Sequence, residues 1–300
     1  MPDPLQFLER APRGRLPEWL KVRMPGSPAY LDVRSRLHTA ELHTVCEEAH
    51  CPNIGECWDR KSATFMILGD VCTRACRYCA VTSGKPQALV TEEPARLART
   101  VEHLGLRYVV ITSVDRDDLP DGGASVFAEC IELIHECIPG CEVEVLIPDF
   151  QGNEAALATV LEAGPAVLNH NIETVRRVFK SVRAKGGYDL SIELLRRSGE
   201  VQPEIPTKSG IMVGLGETPD EVVETLRDLR GVGVDLVTIG QYLRPSRAHT
   251  PMDRFYHPRE FRELADAGYA MGFRHVASGP LVRSSYHADE QYAAASDVTA

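Results

Sequence analysis

From residue 63 onward, short runs rich in β-branched and apolar residues alternate six times with segments of helical periodicity, and this order leaves few architectures open. Strands are expected near 65–69, 108–113, 142–147, 166–169, 208–213 and 236–240. Helices are expected near 93–104, 124–137, 154–162, 190–197, 220–230 and 258–271. Strand, helix and strand repeated in this way build a parallel sheet with helices packed on it. Local chemistry punctuates several joints: Thr91 before Glu92 and Glu93 opens one helix, Thr218-Pro219-Asp220-Glu221 opens another, and Gly105 and Gly231 close two.

Six units are too few to close an eight-stranded barrel, so the expected fold class is α/β, a partial (β/α)6 TIM-type barrel with N-terminal and C-terminal extensions. Residues 1–60 lack the alternation and are rich in Pro, Arg and polar side chains, so they form an extension laid over a barrel spanning 61–245. Residues 246–300 supply a helix and a tail, and the part after Gly272 falls outside the alternation. In such barrels the reactive groups gather at the carboxyl ends of the strands.

Three cysteines sit at that position. Cys72, Cys76 and Cys79 follow the apolar run 64–70 with the spacing C-x3-C-x2-C, and Tyr78 precedes the last thiol. Three thiolates on a four-iron, four-sulfur cluster leave one iron without a protein ligand, and a small molecule with an amino and a carboxylate group can chelate it. A second trio, Cys46, Cys51 and Cys57, reads C-x4-C-x5-C and also stops one ligand short of a closed site. Zinc is the structural alternative for each trio; it takes four ligands and would recruit His38, His43 or His50, but two adjacent sets of three thiols fit it poorly. Cys130 and Cys137 read differently: with Val126, Leu133 and Ile134 they form a helical apolar face and are expected in the core.

Composition narrows the function classes. The nine cysteines are an odd number, and six of them stand at ligand spacing, which argues against a disulfide framework. No basic-then-apolar leader opens the sequence and no apolar stretch approaches the length of a bilayer, so a soluble cytoplasmic protein without a membrane partner is expected. The formal net charge of −10 disfavours nucleic acid as a partner. Residues 1–36 depart from that balance, with seven Lys or Arg (Arg10, Arg13, Arg15, Lys21, Arg23, Arg34, Arg36) against four acids.

These motifs resemble the radical S-adenosylmethionine superfamily. Within it, C-x4-C-x5-C together with Arg283-Ser284-Ser285-Tyr286 resembles the lipoyl synthase family. The similarity runs from about residue 19 to 286 and includes 51–58, 112–120, 169–174 and 208–218. It implies insertion of two sulfur atoms, at the sixth and eighth carbons of a protein-bound octanoyl-lysine, giving the lipoyl group. Side-chain acids and bases cannot break an unactivated carbon–hydrogen bond, so a cofactor must supply a radical while the protein binds and orients.

The resemblance further implies two 4Fe-4S clusters and S-adenosylmethionine. Cys72, Cys76 and Cys79 would hold the cluster that passes one electron to S-adenosylmethionine, releasing methionine and a 5′-deoxyadenosyl radical. Cys46, Cys51 and Cys57, with Ser285 as an oxygen ligand, would hold an auxiliary cluster that donates sulfur. Arg283 is expected to orient the C-terminal segment or to guide substrate by charge. For S-adenosylmethionine the resemblance assigns Tyr78 and Met212 to the adenine, Asn171 and Glu173 to the ribose, and the stretch from Ser113 to Asp115 to the methionyl amino group.

Expected partners are octanoylated lipoyl domains of 2-oxoacid dehydrogenases and the glycine cleavage H protein, an electron donor such as ferredoxin or flavodoxin, and an iron–sulfur carrier that rebuilds the auxiliary cluster. Two other classes compete. A two-cluster electron carrier would be smaller and fully thiolate-ligated. A methylthiolating or biotin-forming radical enzyme is separated by the spacing of the auxiliary trio and by Ser285.

Overall fold

Strand-forming runs that are apolar on both faces belong in the middle of a parallel sheet, and the chain obeys this. The computed structural model describes residues 16–22, 24–60 and 62–296. Arg10, Arg13, Arg15 and Arg23 of the basic arm lie outside the described residues.

Ser27 accepts a hydrogen bond from the Tyr30 amide and Pro28 takes the first helical position, which starts α1 (Pro28–Thr39). Next come β1 (His43–Thr44), α2 (Val45–Glu48) and α3 (Ile54–Asp59). The barrel region opens with β2 (Thr64–Ile67), followed by the short strands β3 (Val71–Cys72) and β4 (Thr82–Ser83). Then follow α4 (Glu93–Leu104), β5 (Tyr108–Ser113), α5 (Ala124–Cys137), β6 (Glu142–Leu146), α6 (Glu154–Glu162), β7 (Val167–Asn169), α7 (Arg176–Val182) and α8 (Tyr188–Val201). The order finishes with β8 (Thr207–Val213), α9 (Pro219–Gly231), β9 (Leu236–Gln241), α10 (Pro258–Ala270), β10 (His275–Gly279) and α11 (Ala288–Ser296).

One sheet runs β1-β2-β5-β6-β7-β8-β9-β10, parallel throughout except where β1 meets β2. All four residues of β2 and all six of β9 are buried, as strands covered on both faces require. Each fully buried side chain such as Ile111 or Val237 contributes about 1.5–3 kcal/mol. Thr218 and Glu221 close a reciprocal capping box at the start of α9, and Gly105 ends α4 in the left-handed region at φ 68°. A charged pair lies inside the sheet: Lys208 Nζ is 3.0 Å from Glu144 Oε1, and Tyr108 and Asn169 donate to the same carboxylate.

Three local readings differ from the structure. The segment after Gly272 is not all tail, because 275–279 pairs with β9 from His275↔Leu236 to Gly279↔Gly240 and extends the parallel run. Only Val276 of this edge strand is buried, so its sequence shows no alternation to read. Residues 43–44 likewise join the sheet, through His43↔Met66 and Thr44↔Phe65. On α5 the core face is Phe127, Cys130, Ile131 and Ile134, whereas Cys137 is exposed and Val126 and Leu133 are half-buried. The apolar stripe therefore begins one residue later than the sequence reading had it, and Cys137 rotates out of the core.

Candidate active site

The loop after β2 carries the C-x3-C-x2-C trio. Its β3 pairs in parallel with β4 (Val71↔Thr82, Cys72↔Ser83), and the Gly84 amide donates to Cys72 O at 2.9 Å. The loop beyond β5 holds it from the other side. The Thr73 amide donates to Asp115 O at 3.0 Å, and the Asp115 amide points at Cys72 Sγ at 3.3 Å. Arg77 N donates to Val182 O and Thr250 N to Arg77 O, both at 2.8 Å, while His249 Nε2 lies 2.9 Å from Cys79 O. His249 is therefore half-buried against the cysteine loop. His257 is exposed and caps α10.

Beneath the loop, Arg74 is 3% exposed and spans two carboxylates, with Asp149 at 2.6 and 2.7 Å and Asp117 at 2.8–3.0 Å. Such two-pronged pairing fixes the guanidinium plane as well as its charge. Burial alone would raise Asp149, but the hydrogen bonds and charge of Arg74 outweigh it and hold the carboxyl at about 2.

Strand ends β5, β7 and β8 bring the other expected cofactor residues to the same edge. Ser113 ends β5, and its buried hydroxyl has no hydrogen-bond partner among the described residues. Asn171 follows β7, with its Oδ1 buried and equally unpartnered. Glu173 has a left-handed backbone (φ 69°), fixed where its amide donates to Gly210 O and its carbonyl accepts from Met212 N. Its carboxylate faces Arg183, Tyr78 and Asn171, and burial raises it above the usual range. Gly210 lies under this group: a Cβ there would stand 2.6 Å from Asn171 Oδ1 and 2.9 Å from Thr238 Oγ1. Arg183 went unread in the sequence because it lies beyond α7 in a segment without motif character. It is buried, donates to Asn171 O at 3.2 Å, and carries an unpartnered Nε.

The C-x4-C-x5-C trio is carried by α2, α3 and the turn between them. Cys51 N donates to Cys46 O at 3.0 Å and Cys57 N to Asn53 O at 2.9 Å. The buried Trp58 indole N–H faces the Cys46 sulfur. The C-terminal segment reaches this trio from the far end of the chain. Asn53 Nδ2 donates to Leu281 O at 2.7 Å, and Thr64 Oγ1 donates to Ser285 Oγ at 2.8 Å, with Thr64 also bonded to Cys46. Tyr286 Oη donates to Glu56 Oε1 at 3.0 Å, beside Cys57. Ser284 turns the opposite way and accepts from Asn171 Nδ2 at 3.4 Å. Arg283 faces Cys51, and among the described residues no carboxylate pairs with it. Gly240 makes room for the segment, since a Cβ there would sit 2.1 Å from Val282 O.

The thiols themselves are poorly ionised in this setting. Burial pushes Cys46 and Cys79 up to about 11 and Cys57 and Cys76 up to about 12, and it also raises Cys51 and Cys72. Thiolates in such a place need cations to hold them, and a set of irons supplies that charge. The donor set fits soft-metal clusters, and the unpartnered Ser113, Asn171 and Arg183 atoms with the Gly210 hollow fit a polar nucleoside next to one of them. Among the described residues no three His, Cys, Asp or Glu side chains converge as ligands of a single ion would.

Comparison with known proteins gives the family. The family model for the radical SAM superfamily matches residues 66–229, and that for the N-terminal domain of lipoyl synthase matches residues 5–51. The lipoyl synthase of Rubrobacter xylanophilus is 58% identical over 283 residues, covering 94% of this chain and 88% of its own. That of Roseiflexus sp. is 57% identical over 276 residues, covering 92% of each chain. The lipoyl synthase of Halalkalibacterium halodurans is 55% identical, again with 92% of each chain covered. Among solved structures, methylornithine synthase matches with TM-score 0.55 at 17% identity, covering 69% of this chain and 62% of that one. Streptococcus suis SuiB bound to S-adenosylmethionine matches with TM-score 0.54 at 11% identity, covering 71% and 49%. At such identities these two share the fold alone.

Proposed function

The chain belongs to the lipoyl synthase family of radical S-adenosylmethionine enzymes, and from that premise we propose which of its residues carry out the insertion of two sulfur atoms into a protein-bound octanoyl chain. The enzyme uses S-adenosylmethionine and 4Fe-4S clusters. When bound, these groups supply an oxidant able to take hydrogen from an alkyl carbon and a source of sulfide to replace it.

Cys72, Cys76 and Cys79 hold the cluster at the barrel mouth, and Arg74 keeps their loop in one conformation through Asp117 and Asp149. Ser113 and Asp115 receive the methionyl end of S-adenosylmethionine, Asn171 and Glu173 its ribose, and Tyr78 and Met212 its adenine. Cys46, Cys51, Cys57 and Ser285 hold the sulfur-donating cluster. A hard oxygen among soft sulfurs is the ligand most readily displaced from an iron, which suits a cluster that is consumed. Arg283 keeps the C-terminal segment against Cys51 and Gly240.

One observation carries this reading. Neighbouring serines of a single segment touch both halves of the site, Ser284 at Asn171 and Ser285 at Thr64 beside Cys46. An alkyl chain entering between them would reach oxidant and sulfur source from one position.

The partners we propose are octanoylated lipoyl domains of 2-oxoacid dehydrogenases and the glycine cleavage H protein, a ferredoxin or flavodoxin as reductant, and an iron–sulfur carrier, all met in the cytoplasm. The basic arm of residues 1–36, with Arg13, Arg15 and Lys21, is proposed as a contact for acidic lipoyl domains. No helix among the described residues is long and apolar enough to cross a membrane. The test is an anaerobic reaction of the reconstituted chain with an octanoylated lipoyl domain, S-adenosylmethionine and reductant. Lipoylated product is expected; cleavage of S-adenosylmethionine with no sulfur on the octanoyl group would favour the rival sulfur-attaching radical enzymes.

A further inference from the structure

The segments that surround the cysteine loop carry no acid of their own, and the nearest acids, Asp115 and Asp117 of the loop beyond β5, are half-buried and paired with Arg74. Three segments meet there: 71–86, 183–186 and 243–252. They are joined by Arg77 N to Val182 O, Thr250 N to Arg77 O, Lys185 Nζ to Thr73 O and His249 Nε2 at Cys79 O. In a chain with 43 acidic and 33 basic residues, these segments contain no Asp or Glu but carry Arg74, Arg77, Lys85, Arg183, Lys185, Arg244 and Arg247. Arg74 and Arg183 are buried and serve the site beneath, whereas Arg77, Lys85, Lys185, Arg244 and Arg247 are exposed.

These five exposed cations have little internal use. Lys185 lies 4.0 Å from Asp117, and Arg244 donates to the carbonyls of His249 and Arg247. For Arg77, Lys85, Arg244 and Arg247, no carboxylate stands within ion-pair range among the described residues. Asp70 and Asp253 mark the edges of the acid-free region. The auxiliary side contrasts with it: Glu47, Glu48, Glu56, Asp59, Asp289 and Glu290 line that surface and largely pair with their own neighbours.

We propose that this basic rim is the docking surface for an acidic one-electron donor protein, seated over the loop of Cys72, Cys76 and Cys79. The inference rests on the reading of that loop as the redox cluster site. Like charge held together without internal partners costs free energy unless an opposite charge from outside meets it, and a patch of one sign on a body of the other steers an acidic partner to one place. Arg77 lies between two of the cysteines and Lys85 two residues beyond the strand paired with Cys72, so a protein resting on the rim sits against the loop that carries the trio. The balance is one electron: the donor is oxidised by one, and that electron goes into the carbon–sulfur bond of S-adenosylmethionine, which breaks as methionine leaves.

The test uses reconstituted enzyme and a reduced acidic flavodoxin, comparing wild type with Lys85→Gln/Lys185→Gln/Arg247→Gln. Binding is read by anaerobic equilibrium titration, and cleavage of S-adenosylmethionine is driven either by flavodoxin or by dithionite. The variant is expected to bind flavodoxin about tenfold more weakly at low salt and to lose most of the difference at about 200 mM salt, with dithionite-driven cleavage unchanged. Unchanged flavodoxin affinity at low salt overturns the proposal. So does a variant that binds flavodoxin normally but an octanoylated lipoyl domain poorly, which would make the rim a substrate surface. A wild-type enzyme that cleaves no S-adenosylmethionine with dithionite would instead strike the cluster reading itself. If the triple variant fails to retain iron, the exposed Lys85→Gln alone answers the binding question.

Discussion

Thr64, the first residue of the first barrel strand, hydrogen-bonds Ser285 at 2.8 Å, although the two are 221 positions apart. The same threonine also bonds Cys46. Thr64→Val keeps the shape and the backbone hydrogen bond to Cys46 but removes the hydroxyl that bonds Ser285 and Cys46, so a loss of about 0.5–1.5 kcal/mol in stability is expected, with turnover falling further because Ser285 loses its bearing. Ser285→Cys should retain the auxiliary cluster yet stop sulfur transfer. Full turnover of the cysteine variant in the anaerobic assay would reject the assignment of Ser285.

Arg74 makes a second, sharper test. Arg74→Met leaves the buried Asp149 with only the Arg183 guanidinium, 3.9 Å away, as counter-charge, and breaking such a pair from one side costs up to about 3–5 kcal/mol. A lowered denaturation midpoint and poor retention of the first cluster are expected. Arg74→Lys should recover only part of this, because an ammonium cannot span both carboxylates. A midpoint equal to wild type for Arg74→Met would show that the network does not hold the loop.

Gly210→Ala crowds Asn171 and Thr238 beside the proposed nucleoside position while changing no polar side chain itself. Its Cβ would stand 2.6 Å from Asn171 Oδ1, and relieving that overlap costs about 1–3 kcal/mol, which should appear as weaker S-adenosylmethionine binding. Both clusters should load normally. Equilibrium binding to the reconstituted enzyme checks this, and wild-type affinity would remove Asn171 and Gly210 from the site.

His170 supplies a pH dependence. Burial first, and then the Arg183 charge, push it down to about 4 from its ordinary 6.5. It sits between Ile147 O at 2.9 Å and Ser191 Oγ at 3.0 Å. Below pH 6.5 the unfolded chain takes up a proton that the folded chain refuses until about pH 4, so stability falls as pH drops through that window, by up to about 1.4 kcal/mol per unit. Between pH 7.5 and 5.5, His170→Gln should lose about 1 kcal/mol less than wild type in chemical denaturation. Parallel losses in the two proteins would contradict the sign.

Iron content separates the two trios. Reconstituted wild type should hold about eight irons per chain, and replacing Cys46, Cys51 and Cys57 together by Ala should leave about four, with S-adenosylmethionine cleavage retained. Eight irons in the triple variant would place the second cluster elsewhere.

Much of this site was readable as text because ligand spacing and strand ends are local features. The strand over Tyr108–Ser113 and the helices over Glu93–Leu104, Ala124–Cys137 and Glu154–Glu162 fall where periodicity put them. What escaped was fixed by distant chain. His275–Gly279 becomes a strand because β9 offers it an unpaired edge, and nothing in its own residues alternates. Arg183 matters because α7 ends beside Tyr78 and Glu173, and no short motif encodes that. Cys137 was misread for the opposite reason: a helical stripe is legible, but its rotation by a single residue is set by packing against neighbours.

The Asn53–Leu281 bond joins the Cys46, Cys51 and Cys57 trio to a segment 228 positions away. The three cysteines lie close together in the sequence, yet Leu281, Ser285 and Tyr286, which enclose them, reach them only when distant chain folds back. The surroundings of the trio are therefore a product of the whole fold, and local undocking of the 281–286 segment would leave those thiols open to oxygen and stray metals.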